Sequence, residues 1–234
     1  MSITVDKNKK PVSCQHYFGV PLFTKKLAGF SKYQQPLIDC ILEEMSRSPG
    51  GINRSNRSGW HSEKNVHHWK NASTRWLVNQ IADFAKDCFA DSLGNGQEQC
   101  VTLKTSWANV NGPGAWNSPH GHFSATWSGV VFIAAEGAND KTTRSGYLEL
   151  LNPVQLGPLS NPASSVTIQP QDGLMVLFPG YVLHWVHPNR TQHNRISIAF
   201  NLSVIPKSLA PTSTPIQPIQ LWAADSSSEP KKSK

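Results

Sequence analysis

From Cys100 onward the chain changes period. Val101, Leu103, Thr105, Trp107 and Asn109 alternate with Thr102, Lys104, Ser106 and Ala108. A two-residue repeat sends successive side chains to opposite faces of a strand. Further strand-like runs follow at 126–135, 146–151, 166–168, 174–178, 182–186 and 195–204, parted by turns such as Asn111-Gly112-Pro113-Gly114 and Gln171-Asp172-Gly173. A chain of short strands broken this often must close on itself or stack in two layers. We expect a mainly β fold, a double-stranded β-helix or jelly roll. The 16 glycines and 17 prolines suit the turns such a fold needs.

The first hundred residues read differently. Tyr17–Phe23 reads as a first strand. Leu37, Ile38, Ile41, Leu42 and Met45 recur at helical spacing, with Pro36 in the first turn and Pro49-Gly50-Gly51 as the stop. Asn53–Lys70, rich in Ser, Asn, Arg and His, reads as a long ordered loop. A second helix is expected from Ser73, as its N-cap, to about Asp91, ended by Gly94-Asn95-Gly96. Its apolar face is Leu77, Ile81, Phe84, Ala85, Cys88 and Phe89. Both helices should pack on one outer face of the jelly roll. At 234 residues the chain suits one sizeable domain. The expected division is a flexible 1–11, a single domain over 12–205, and a Pro/Ser-rich tail with a basic C-terminus over 206–234.

Charge and cysteines narrow the partners. The formal net charge is +7, but Lys7, Lys9, Lys10, Lys231, Lys232 and Lys234 place much of it in the two termini. No stretch interleaves clustered Lys/Arg with aromatic residues as a nucleic-acid groove does. No apolar run nears the roughly 18 residues of a membrane span, and the first residues do not read as a signal peptide. Cys14, Cys40, Cys88 and Cys100 show no C-x-x-C spacing and read as reduced thiols, which points to the cytoplasm.

The chemistry is carried by histidines. Ser118-Pro119-His120-Gly121-His122 precedes Phe178-Pro179-Gly180-Tyr181-Val182-Leu183-His184 by about sixty residues, and Arg195-Ile196-Ser197 follows. His120 and His122, at i and i+2, share one face of a strand, and His184 would close that face from the opposite strand. Imidazole suits Fe, Zn, Cu and Ni. His187 is a competing or supporting residue. His16, His61, His67, His68 and His193 read as ordinary polar histidines. Arg195 and Ser197 share a strand face, where a guanidinium fork and a hydroxyl can hold a carboxylate. A surface arginine on an edge strand is the competing reading. Trp107, Asn109, Asn117 and Trp127 are expected to line the pocket, with plain core packing as the alternative for the two tryptophans.

These segments resemble a known family. Ser55-Asn56-Arg57-Ser58-Gly59-Trp60-His61-Ser62, Ser106-Trp107-Ala108-Asn109-Val110, His120-Gly121-His122, Ser128-Gly129-Val130-Val131-Phe132, Leu177-Phe178-Pro179, His184-x-Val186-x-Pro188-Asn189 and Arg195-Ile196-Ser197-Ile198-Ala199-Phe200-Asn201 occur in order. Together they resemble the 2-oxoglutarate/Fe(II) oxygenases of the prolyl-hydroxylase-like superfamily, in a subgroup of marine bacteria and phages, over residues 17–204. The resemblance implies a double-stranded β-helix with Fe(II) on His120 and His184 and the far carboxylate of 2-oxoglutarate on Arg195. Asn109 and Asn117 would bond the metal-proximal carboxylate or the substrate. The implied reaction hydroxylates an unactivated C–H of a small-molecule or peptide substrate with O2, converting 2-oxoglutarate to succinate. A homodimer is an assembly left to test.

One feature departs from that family. The superfamily has an acid two residues after its first histidine, and here His122 stands there. Between Glu98 and Glu136 the chain has no Asp or Glu at all. Three readings follow. His122 is a neutral third ligand, the reading we favour. Alternatively, the position is vacant for water or halide, as in related halogenases. In the third reading His122 is itself the first histidine, with Ser124 in the acid position. A remote carboxylate, Glu136 or Glu149, is the remaining alternative. Competing functions are a cupin-like three-His enzyme without 2-oxoglutarate and a non-catalytic binding barrel.

Overall fold

A computed structural model describes residues 13–17, 19–89, 99–137, 142–154, 164–206 and 219–223. The expected flexible N-terminus at 1–11 and the Gly94-Asn95-Gly96 stop lie outside these residues, as does most of the expected tail. Within that tail stretch, Ile219–Ala223 forms a strand, β13 below.

The long alternating segment is β5, Gln99–Asn111, and its partner is β12, Arg195–Pro206. They pair antiparallel from Arg195↔Asn111 to Pro206↔Gln99, with one register shift after Asn201. Between them in sequence lie β6 (Trp116–His120), β7 (Trp127–Ala134), β8 (Leu148–Leu151), β9 (Ser165–Ile168), β10 (Leu174–Pro179) and β11 (His184–Val186). With β1 (Ser13–Tyr17), β2 (Val20–Lys26), β3 (Asn56–Arg57) and β4 (Trp60–His61) they form two sheets. The larger runs β1-β2-β10-β7-β12-β5-β13, with β4 also on β5. The smaller runs β3-β6-β11-β8-β9. From β5 to β12 the chain passes back and forth between the sheets, which makes the fold a double-stranded β-helix with two helices.

At β7 and β10 both faces of the large sheet are buried, so these two strands read as continuous apolar runs, whereas β5 and β12 keep the two-residue alternation. Val131 and Ile133 of β7, Met175 and Leu177 of β10, and Ile196, Ile198 and Phe200 of β12 face the helices. Val130, Phe132, Val176 and Phe178 face inward, against Leu148, Leu150 and Val186 of the small sheet. Full burial of each such side chain contributes about 1.5–3 kcal/mol.

The helices are α1, Ser31–Arg47, and α2, Ala72–Phe89. Leu37 and Ile41 of α1 and Leu77, Ile81 and Phe84 of α2 enter the helix-side core. Tyr33 stacks on Trp76 at 4.1 Å and joins the two helices. Two expectations are corrected here. Pro36 lies inside α1 rather than in its first turn. The turn at Gly29-Phe30 starts the helix earlier, through bonds from Lys32 to Gly29 and from Tyr33 to Phe30. The cap of α2 is Asn71, whose side-chain oxygen accepts the Ser73 N–H at 2.8 Å; Ser73 is buried inside the first turn.

The loop 53–70 is ordered, and it is tied to both sheets. Its β3 pairs with β6 through Asn56↔Asn117, and its β4 pairs with β5 through His61↔Asn109. It therefore bridges the two layers beside the strands that carry the histidines.

Candidate active site

His184 of β11 and His120 at the end of β6 are direct register partners. They are therefore cross-strand neighbours on adjacent antiparallel strands of the small sheet. β6 ends at His120, so His122 does not share a strand face with it as expected; it stands two residues beyond the strand and opens the turn 122–125. Its N–H donates to the Gly180 carbonyl at 2.7 Å, and its carbonyl accepts from Ala125 at 2.9 Å. Gly180 is required there: a Cβ would lie 2.4 Å from the Ala125 carbonyl oxygen and 2.8 Å from that of His122. The turn thus returns the His122 ring to the other two. Ring centroids lie 4.4 Å apart for His120–His184, 5.0 Å for His120–His122 and 5.1 Å for His122–His184. One nitrogen from each ring falls within 4.8 Å of the others, an arrangement that could hold a metal ion.

Backbone carbonyls orient two of these rings. His120 Nδ1 donates to the Ser118 carbonyl at 2.8 Å, and His184 Nδ1 to that of Val182 at 3.0 Å. The proton on Nδ1 leaves the Nε2 lone pair for a metal. Burial holds all three imidazoles below their ordinary value. It takes His122 to about 3, helped by the nearby His120, Lys64 and His61. It dominates for His120 and His184 as well. All three are neutral at pH 7, as ligation needs.

The cavity around them lies between the sheets and encloses about 470 Å³, counting its open mouth. Arg195, Ser197, Asn109, Asn117 and Trp107 line it, as expected. Trp127 does not. Its ring packs on Phe23 at 5.7 Å and Phe89 at 5.0 Å on the helix side, the core-packing alternative. Trp107 lies between two imidazoles, stacked on His61 at 5.6 Å and 5.3 Å from His122.

Arg195 is buried, 5% exposed. Its Nε donates to the Gly146 carbonyl at 2.8 Å and one terminal nitrogen to Ser197 Oγ at 3.1 Å. Its guanidinium sits 5.2 Å from the Phe132 ring centroid. Burial pushes its pKa down to about 10, so it stays charged at neutral pH. Among the described residues it has no acidic partner. A buried, unpaired cation is costly, so this one fits an incoming anion. Asn109 adds a buried amide oxygen with no hydrogen-bond partner. Asn117 accepts from Asn111 at 3.0 Å and donates to Ser55 Oγ at 3.3 Å, which stands 3.4 Å from His120 Nε2. Three neutral imidazoles, with a charged arginine beside a serine hydroxyl, make a set that fits a divalent metal and a dicarboxylate.

The other candidates lie elsewhere. Glu149 is bonded to His187 at 2.6 Å, and neither residue lines the cavity. Glu136 is exposed, 3.5 Å from His193. Ser124 is an exposed turn residue whose carbonyl accepts from Lys104. Sequence reasoning did not single out Ser55 or Phe178, although both line the cavity. Phe178 packs edge-on to His184 at 4.9 Å. Their signal was position: each sits in a matched segment beside a residue that was named. Among the described residues no helix is long and apolar enough to cross a membrane.

Residues 105–201, from β5 through β12, match the family described as "Putative 2OG-Fe(II) oxygenase". No curated protein matches the chain. Among solved structures, a Pseudomonas putida prolyl-4-hydroxylase is 13% identical with a TM-score of 0.51, over 81% of this chain and 91% of its own. EctD from S. alaskensis, with bound Fe, is 13% identical with a TM-score of 0.53, over 78% and 72%. HygX from Streptomyces hygroscopicus, with nickel and 2-oxoglutarate bound, is 10% identical with a TM-score of 0.55, over 78% and 82%. At these identities the structural likeness shows the shared fold.

Proposed function

We propose, for a chain whose segment 105–201 matches the family described as "Putative 2OG-Fe(II) oxygenase", that His120, His122 and His184 hold Fe(II) and that Arg195 with Ser197 holds the far carboxylate of 2-oxoglutarate. The protein then oxidises, and most simply hydroxylates, an unactivated C–H of a small-molecule or peptide substrate in the cytoplasm. The carrying observation is Arg195: buried, charged, without an acidic partner, and in the same cavity as three convergent imidazoles. A cupin-like three-His enzyme would have no use for that cation, and a recognition barrel would have none for three neutral imidazoles.

The roles follow from position. The Ser118 and Val182 carbonyls fix two imidazole tautomers, so lone pairs face the metal. The free terminal nitrogen of Arg195 and the Ser197 hydroxyl bind the distal carboxylate. Asn109, donating its amide N–H, orients the proximal end of 2-oxoglutarate, with Asn117 exchanging its Ser55 contact for a cosubstrate oxygen. Trp107, buried against His61, walls the substrate side and excludes water. When bound, Fe(II) with 2-oxoglutarate supplies the O2 activation that oxidises the C–H while 2-oxoglutarate loses CO2 and becomes succinate.

Anaerobic addition of Fe(II) and 2-oxoglutarate should give the weak visible charge-transfer band of the chelate, and air should then release succinate. Absence of both overturns the reading. Because no acidic residue lines the cavity among the described residues, the same assay with chloride tests halogenation as the second reading.

A further inference from the structure

Beside the histidine cavity lies a second one, which nothing above uses. It is bounded by β2 and β10 of the large sheet and by β8 and β9 of the small sheet. It encloses about 260 Å³ counting its open mouth, but its interior has room for only about one molecule of two or three atoms. Every side chain in its wall is Val, Leu, Pro or Phe, so none can hydrogen-bond a water. A cavity of this kind stays dry and takes up small apolar molecules. Close-packed interiors keep few such gaps.

The wall changes along its length. Half-buried Val20, Leu151 and Val166, with exposed Pro153, stand at the surface. Leu22, Leu150, Phe178 and Val182 stand inside and are buried. Three of these four inner residues adjoin His184. Leu150 is its cross-strand partner. The Val182 carbonyl accepts from its Nδ1 at 3.0 Å. The Phe178 ring lies edge-on to its ring at 4.9 Å, and Phe178 lines both cavities. The apolar cavity therefore leads from the surface to the histidine cavity and meets it at Phe178.

The polar cavity has its own load. 2-Oxoglutarate and the substrate would both enter it, and together they obstruct that mouth for a third reactant. Dioxygen is apolar and diatomic, so it matches the second cavity in size and polarity, whereas a substrate side chain or a lipid tail is too large. We propose that the apolar cavity binds dioxygen and admits it past the Phe178 ring to the histidine cavity. This rests on the oxygenase reading for the need for O2; the gas site itself stands on the apolar wall and its approach to His184.

The test is solution NMR of the metal-free protein, labelled at Leu and Val methyls, under pressurised O2 and under N2. Dissolved O2 is paramagnetic and speeds the relaxation of protons it touches. The enhancement at Leu22, Leu150 and Val182 should be at least three-fold larger than at Leu37 and Leu77, which are as deeply buried in the helix-side core. Val166→Phe plugs the mouth away from the histidines and should remove the excess; Val20→Phe does the same from the opposite wall should the first variant fail to fold. In the Fe(II)-loaded protein the folded variant should raise the KM for O2 in succinate release at least five-fold and leave the KM for 2-oxoglutarate unchanged. Equal enhancement in the two cores overturns the gas site. An excess that survives the plug, or an unchanged KM for O2, overturns the route. The charge-transfer band is recorded first on the loaded wild-type protein. Its absence counts against the oxygenase reading, while the metal-free methyl map still decides the gas site.

Discussion

His122 stands where a carboxylate was expected, and its imidazole reaches the same point as those of His120 and His184. A metal there would rest on three neutral donors, so losing any one leaves two. His122→Ala should lose Fe(II) about as readily as His120→Ala or His184→Ala. His122→Asp should bind Fe(II) at least as well as the wild type, because a carboxylate adds charge attraction. Iron titration of these variants, each with and without chloride, separates a ligand from a vacancy. Full occupancy in His122→Ala without chloride would overturn the three-His site. Arg195 makes a second residue-scale prediction. Arg195→Ala should keep its iron and raise the KM for 2-oxoglutarate strongly, since removing one partner of a buried charge pair costs about 2–5 kcal/mol. An unchanged KM would place the clamp elsewhere.

Individual elements set the sidedness of the site. Gly146, with φ +66°, approaches Arg195 so closely that a Cβ would lie 2.9 Å from Cδ, while its carbonyl accepts from Nε. Gly146→Ala should therefore cost about 1–3 kcal/mol in stability and weaken 2-oxoglutarate binding while iron is retained. Thermal denaturation and 2-oxoglutarate titration measure the two effects. The small sheet is two-sided in the same way. His184 and Val186 line the cavity, whereas Glu149, paired with the intervening Trp185, bonds His187 instead. Glu149→Gln should leave iron stoichiometry and succinate release unchanged. Loss of iron would make Glu149 the missing carboxylate after all.

Across the molecule, the large sheet is shared between two cores. One face of β12 carries Ile196, Ile198 and Phe200 to the helices, and the other carries Arg195, Ser197 and Ala199 to the cavity. Phe200 is fully buried and its ring lies over Gly129, where a Cβ would meet it at 2.3 Å. Phe200→Ala should cost about 3–5 kcal/mol, a large part of the stability of an ordinary domain. Denaturant unfolding would show this as a lower midpoint. A loss below about 1 kcal/mol would mean that the helix-side core does not brace the site strand.

The sequence by itself determined the strands, because period-two alternation and Gly/Pro turns are local properties of the chain. It also determined that His120, His184 and Arg195 belong to one site, since their segments keep the order of a family. The side of the sheet was legible for β12 from the i, i+2 rule. It was not legible for Trp127, which looks like Trp107 in sequence yet packs among Phe23 and Phe89, because both faces of β7 and its neighbours are buried. Nor did spacing place His122 in a turn beyond the strand, returned to the metal position by the close approach of Gly180. The capping by Asn71, the pairing of His120 with His184 inside one sheet, and the loop 53–70 that brings Lys64 over Trp107 came only with the tertiary structure. Each depends on which distant segments lie side by side, and contacts between distant segments leave no period in the chain.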